Sequence, residues 1–352
     1  MLTKKKGAVF LEGHSIYYLM GKKIIILNTG GTLSSVMKEN GLAPGLTTEN
    51  IQKELHIVSG DTELEMMDIC ALDSANIFPE DWAMLASKID EVRGKCDGVV
   101  VIHGTDTMAY TSSMLSFMLQ NINIPVVITG SQLSMGNPIA DAMENCRCAI
   151  HMAACGKPGV YVAFNRKVIL GCRASKVRST SFDAFDSINY PYCARISSLG
   201  MVLDDKAIPQ KSGVYKLQNT FSDKVFMLKM FPGIHRTMLK SIYEQGYKGL
   251  YIEAYGLGGM PFLKHDFISA LGELVKSGMT VVVGTQCRFE GSNLSVYETG
   301  LRSLENGVMQ AFDMTSEAAL TKLMWVLGKT EDPDEIRDYF SVSLCGEVTI
   351  PQ

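Results

Sequence analysis

Residues 99–108, VVVIHGTDTM, hold four β-branched residues in a row and stop at a histidine and a glycine. Hydroxyls and a carboxylate then follow, where a new segment begins. An unbroken apolar run is what a parallel strand covered on both faces requires, and glycine lets the chain turn at its end without a Cβ clash. Residues 24–33, IIILNTGGTL, repeat the design, and PVVIT at 125–129 supplies a third run. Amphipathic segments lie between the runs, at Pro79 to Val92, Met108 to Leu119 and Asp141 to Ala153. Short β-branched runs alternating with amphipathic segments are the mark of βαβ units. The sequence therefore predicts an α/β fold with a mainly parallel sheet, its strands at Lys23 to Asn28, Gly98 to His103, Pro125 to Thr129 and Val160 to Phe164. Right-handed crossovers then flank it with helices.

Working outward, the 352 residues suggest two domains. Residues 1–20 read as a tail, and residues 21–196 form the larger N-terminal α/β domain. The stretch 197–223, SSLGMVLDDKAIPQKSGVYKLQNTFSD, lacks sustained periodicity and reads as an interdomain connection. A smaller C-terminal α/β domain takes 224–352. Its strands are predicted at VFMLKM, at Gly249 to Tyr255 and at Thr280 to Gly284, and its helices at His235 to Gln245, His265 to Lys276 and Ser316 to Leu327. A last helix is announced by Asp332 as cap and Pro333 at the first helical position.

Lys plus Arg number 33 against 37 Asp plus Glu, a net charge of −4 that offers no basic field to nucleic acid or an anionic membrane. No stretch approaches the ~18 apolar residues of a membrane span. Nine cysteines without a CxxC pair point to reduced thiols and a cytoplasmic location, and no spacing of Cys and His predicts a metal. The nucleotide motifs are incomplete: Gly328-Lys329-Thr330 lacks the first glycine of a phosphate loop, and the glycines at 256, 258 and 259 do not complete a dinucleotide fingerprint. No GxSxG elbow supports a serine hydrolase.

In an open parallel sheet, ligands bind beyond the carboxyl ends of the strands. Two such ends carry glycine with threonine, at Thr29-Gly30-Gly31-Thr32 and at His103-Gly104-Thr105-Asp106-Thr107. One alone is explained by a tight turn and a helix cap; two shift the reading toward a ligand site. A threonine nucleophile needs a base. A lysine beside a threonine, its charge offset by an aspartate, can serve if its pKa is lowered. Lys176, in RASKVRSTSFDAFDS at 173–187, is the candidate, although such a lysine taken alone reads as a solvated loop residue.

Four stretches, IIILNTGGTL, VVVIHGTDTM, TGSQLSMGNPIADAMENC and RASKVRSTSFDAFDS, in this order and at these intervals, resemble the bacterial type I (cytoplasmic) L-asparaginases of the asparaginase/glutaminase family. The likeness continues through AYGLGG, GTQC and DMTSEAALTKLMWVL. It implies hydrolysis of the side-chain amide of L-asparagine to L-aspartate and ammonia, through an acyl-threonine intermediate and without a cofactor. Residue by residue, it implies Thr32 as nucleophile, with Lys176 relaying a proton through Thr105 beside Asp106. Gly31, Asp73, Ser74, Thr105 and Asp106 would hold the substrate, Ser74 on its α-carboxylate and Asp106 on its α-ammonium. The family's site lies where two subunits meet, which implies a homodimer or homotetramer.

The sequence departs from the family at the lid, residues 33–46. Leu42 stands where many relatives carry a tyrosine, and Tyr255 and Tyr297 are distant substitutes. Gly259 stands where a neighbouring subunit's asparagine is expected. The alternatives are a glutaminase-asparaginase, the amidase component of a tRNA-dependent amidotransferase, which would need an extra amino-terminal domain, and a non-catalytic amino-acid-binding protein. The missing lid tyrosine favours the last; Thr32, Thr105, Asp106 and Lys176 oppose it.

Overall fold

A computed structural model describes the chain except residues 1–2, 6–7, 12–13, 18–20, 39–40, 45–47, 60, 211 and 351–352, and except the side chains of 3–5, 8–11, 14–17, 34–38, 41–44, 48 and 56–59. It divides into two units, Met1–Asn219 and Thr220–Gln352.

The first unit opens with β1 (Thr3–Lys5), β2 (Ala8–Leu11) and β3 (His14–Tyr17), paired antiparallel as a small separate sheet where the sequence predicts a tail. Val9, Phe10, Ile16 and Tyr17 are strand formers, in runs too short to stand out from a tail. There follow β4 (Lys23–Gly30), the hairpin β5 (Ser35–Lys38) and β6 (Gly41–Pro44), α1 (Thr48–Ser59), β7 (Glu63–Leu72), α2 (Pro79–Val92), β8 (Gly98–Ile102), α3 (Met108–Met118), β9 (Pro125–Thr129), α4 (Ala142–Ala154) and β10 (Gly159–Phe164). Strands β11 (Lys167–Leu170), β12 (Ala174–Lys176), β13 (Phe185–Ser187), β14 (Ala194–Ser197) and β15 (Gly200–Leu203) complete the unit.

Eight strands form the main sheet in the order β15-β14-β11-β10-β9-β8-β4-β7. The five from β10 to β7 are parallel, and β11, β14 and β15 extend them antiparallel. Every residue of β8 and β9 is buried, and so is β4 from Ile24 onward, as their unbroken apolar runs demand. Taken in chain order, the parallel strands lie 2-1-3-4-5, so the winding reverses between β4 and β8, the two strands that carry the Gly-Thr ends. The topology puts a crevice where the sequence puts its chemistry.

The predicted connection at 197–223 is not one. Ser197 to Gly200 turn β14 into β15, and the chain beyond stays bound to the first unit. Asn121 Oδ1 accepts from the backbone of Ser212 and Gly213, the Tyr215 hydroxyl donates to Asp90, and Asn219 donates to Ser87. Tethers of this kind are polar and aperiodic, so they leave no trace in hydropathy. The boundary falls after Asn219, not after residue 196.

The second unit is a four-stranded parallel sheet, β16 (Val225–Lys229), β17 (Gly249–Ala254), β18 (Thr280–Thr285) and β19 (Met309–Gln310), in chain order. It carries α5 (Thr237–Glu244), α6 (Phe267–Lys276), α7 (Glu298–Glu305), α8 (Ser316–Leu327) and α9 (Pro333–Ser341). Leu250, Ile252, Phe267, Leu271, Val281 and Val283 lie in its core. Asp332 caps α9 by accepting from Asp334 and Glu335. The C-terminal stretch is fastened by the fully buried pair Lys322 and Glu347, Nζ to Oε1 at 2.6 Å. Among the described residues, no helix is long and apolar enough to cross a membrane.

Candidate active site

The end of β4 is built to let backbones touch. Gly30 and Gly31 take φ of +101° and +79°, which glycine adopts without strain. A Cβ on Gly31 would stand 2.5 Å from Gly104 Cα, and one on Gly104 would stand 2.5 Å from Ser74 Oγ. Gly30 and Gly31 therefore meet Leu72 and Gly104 main chain to main chain, and Gly104 in turn lays its backbone against the Ser74 side chain. Gly31 N–H donates to Leu72 O (2.9 Å), and Thr32, half-buried, opens the 3-10 turn Thr32–Ser34.

Around that contact the remaining groups converge. Asp73 caps the turn Ser74–Asn76 by accepting from Ala75 N–H (3.0 Å). Ser74 Oγ, buried, accepts from Asp106 N–H (3.2 Å), so its own hydrogen is left for another acceptor. The Thr107 hydroxyl donates to Ser74 O (2.8 Å), tying the loop after β8 to the loop after β7. Lys176 ends the short strand β12 and donates from Nζ to Thr105 Oγ1 (2.7 Å) and to Asp106 Oδ1 (2.7 Å). Its side chain is only 18% exposed, against 63% for Asp106. This rules out the reading of Lys176 as a solvated loop lysine.

These residues line one cavity of about 200 Å³, which brings together Gly31, Thr32, Asp73, Ser74, Thr105, Asp106 and Lys176, every candidate from the sequence. The cavity adds Gln132 and Ser179, which sequence reasoning passed over. Gln132 stands just past the end of β9, after Gly130 and Ser131, so the rule of strand ends could have found it. Its Oε1 accepts from the Thr105 hydroxyl (3.4 Å), and its Nε2 donates to Ser179 O and Ser181 O (both 3.0 Å). It thus bridges the threonine loop and the lysine loop. Asp141 holds Gln132 in turn by accepting from its backbone N–H. A larger hollow of about 680 Å³ runs beside Tyr192, Arg195 and Lys206 and contains none of these groups.

The lid expected over 33–46 leaves the turn Thr32–Ser34 and contains the hairpin β5–β6, with Leu42 paired to Met37; the Leu42 side chain lies outside the described residues. Tyr255 and Tyr297 belong to the second unit, where Tyr297 is exposed at the start of α7.

Two family models cover most of the chain: residues 23–208 match the model described as asparaginase, N-terminal, and residues 224–340 match the glutaminase/asparaginase C-terminal domain. The chain belongs to the asparaginase family. Within that family it is 40% identical to an L-asparaginase of Thermococcus kodakarensis over 93% of this chain and 99% of the relative. A solved structure of the thermostable L-asparaginase of that organism superposes with a TM-score of 0.88, again over 93% and 99%. One component of a glutamyl-tRNA(Gln) amidotransferase from the same organism is 35% identical over 93% of this chain and 76% of the relative. The asparaginase family thus includes members of differing activity, and its L-asparaginases similar to this chain come from an archaeon and from a bacterium, L-asparaginase 1 of Escherichia coli being 34% identical over 93% of this chain and 98% of the relative.

Proposed function

We propose that the protein is a type I L-asparaginase that hydrolyses L-asparagine to L-aspartate and ammonia. One observation carries the reading: Lys176 Nζ reaches Thr105 Oγ1 and Asp106 Oδ1 at 2.7 Å each, inside a cavity that also presents Thr32. The cavity is smaller than the ~300–1,000 Å³ of sites for drug-sized ligands, which suits a single small amino acid. The Ser74 hydroxyl meets the α-carboxylate. Asp106 uses one carboxylate oxygen for Lys176 and keeps the other for the α-ammonium.

Thr32 Oγ attacks the amide carbon, forming a C–O bond, and the amide nitrogen takes a proton and leaves as ammonia. Lys176, hydrogen-bonded to Thr105 Oγ1, relays the Thr32 hydroxyl proton through Thr105 to that leaving nitrogen, and in the second half relays a proton from the attacking water back to Thr32 Oγ as the acyl-threonine ester breaks. We further propose a cytoplasmic location, a homodimer or homotetramer, and β5–β6 as the lid.

The test is ammonia release from L-asparagine and from L-glutamine by the purified protein. The head of the amino acid is held at both ends, so one extra methylene moves the amide carbon past Thr32. A misplacement of about 1 Å costs roughly 100-fold. We expect kcat/KM for asparagine to exceed that for glutamine by that order; equal values point to the dual-specificity alternative. The 35% identity to an amidotransferase component supports a second reading, which predicts no turnover of free asparagine without a further protein chain.

A further inference from the structure

Behind the cavity runs a buried chain of hydrogen bonds that the reaction above does not use. Trp82 Nε1 donates to Thr111 Oγ1 (2.9 Å), Thr111 Oγ1 lies 3.0 Å from His103 Nε2, and His103 Nδ1 lies 2.7 Å from Gly104 O. His103 and Thr111 are fully buried, and Trp82 nearly so.

The donors can be assigned by elimination. A carbonyl oxygen only accepts, so Nδ1 carries the hydrogen. Burial pushes the His103 pKa down and keeps the ring neutral, so Nε2 is an acceptor and the Thr111 hydroxyl donates to it. The Thr111 oxygen then accepts from Trp82, an obligate donor. Each group is satisfied in one direction only, from Trp82 to Gly104. The chain fixes a tautomer.

The carbonyl it holds belongs to the peptide between Gly104 and Thr105. That peptide is trans, like every other described, so its C=O and N–H point to opposite sides. Drawing Gly104 O onto the imidazole turns the Thr105 N–H the other way, toward the cavity that both residues line. Among the described residues this N–H has no hydrogen-bond partner. We propose that His103 is a positioning residue that aims the Thr105 N–H at the amide oxygen of the substrate, so that a fixed donor meets the oxyanion of the tetrahedral intermediate. The proposal rests on the amidohydrolase reading above. Gly104 serves it twice: without a Cβ it fits against Ser74, and its carbonyl is the handle by which the loop is turned.

The experiment separates the two ring nitrogens. His103→Asn keeps a donor near the Nδ1 position and nothing at Nε2; His103→Gln keeps a group near Nε2 and no donor at Nδ1. Asn should stay near wild type in kcat for asparagine. Gln should lose about 100-fold or more in kcat, the usual cost of an oxyanion donor. Both should bind aspartate with wild-type affinity by calorimetry and melt at similar temperatures. Equal kcat for the two variants, or a Gln defect confined to KM and aspartate affinity, overturns the proposal. Should either variant fail to fold, NMR of the wild-type protein labelled with ¹⁵N-histidine decides. A neutral ring protonated on Nδ1 is expected at pH 7, and an Nε2-protonated or doubly protonated ring overturns the chain. A wild-type protein that releases no ammonia from asparagine sinks the parent reading instead, and the NMR result stands apart from it.

Discussion

At the scale of single residues, the site asks each side chain for one thing. Thr32 must form and break a covalent bond, so Thr32→Ala should fold normally and lose roughly 10⁴-fold or more in kcat, keeping only what binding and electrostatics supply. Near-wild-type turnover in that variant would end the nucleophile assignment. Lys176 and Thr105 share one proton path at 2.7 Å, and a path fails at its weakest member. Lys176→Met, Thr105→Ala and the double variant should therefore fall to similar residual rates, and a double variant whose losses multiply would mean two independent roles. Much of this was legible in the sequence because Thr32, Thr105 and Asp106 sit directly after strand ends, where one rule finds them. Gln132 obeys the same rule, but an amide has no reactivity to draw attention. His103 escaped because its meaning lies in Thr111 and Trp82, on two other elements.

At the scale of elements, strands covered on both faces and helices with sharp ends were readable. The predicted Pro79–Val92, Pro125–Thr129 and Ser316–Leu327 are the observed bounds, because proline or a threonine cap marks where each begins. β7 was missed since it is the sheet edge: ELEMMDICAL mixes exposed acidic with half-buried apolar residues and lacks the signature of an interior strand. The turn after β4 makes a sharper test. Gly31→Ala forces a side chain into a left-handed backbone, at about 1–3 kcal/mol, and into contact with Gly104 Cα, which cannot yield as a rotamer would. Urea denaturation should show a loss at least that large, and kcat should fall with it because the loop carrying Thr105 is displaced. A variant with wild-type stability would show that the loops are not in backbone contact.

At the scale of the molecule, the two units are secured differently. The second depends on an ion pair removed from water: Glu347 accepts from Lys322 and from the backbone of Leu344 and Cys345. Burial pushes its carboxyl up, but the ammonium and the N–H groups outweigh this and hold it below the ordinary value of 4.5. A depressed carboxylate contributes its full stability above the unfolded value, and the contribution is lost as pH falls from there through the folded one. Acid unfolding followed by circular dichroism should therefore show a component below pH 4.5 that Glu347→Gln removes. That variant should also start about 3–5 kcal/mol less stable, because Lys322 is left buried without its counter-charge. An unchanged acid profile would assign the pair no share in stability. The first unit has a different economy. Where Gly30 and Gly31 lie against the backbones of Leu72 and Gly104, no side chain can shift to absorb an error, so there is no graded, half-competent arrangement of these backbones for the site to occupy. The population of folded first unit and the population of competent sites are then one number, and turnover measured during heating becomes a reading of how much sheet remains.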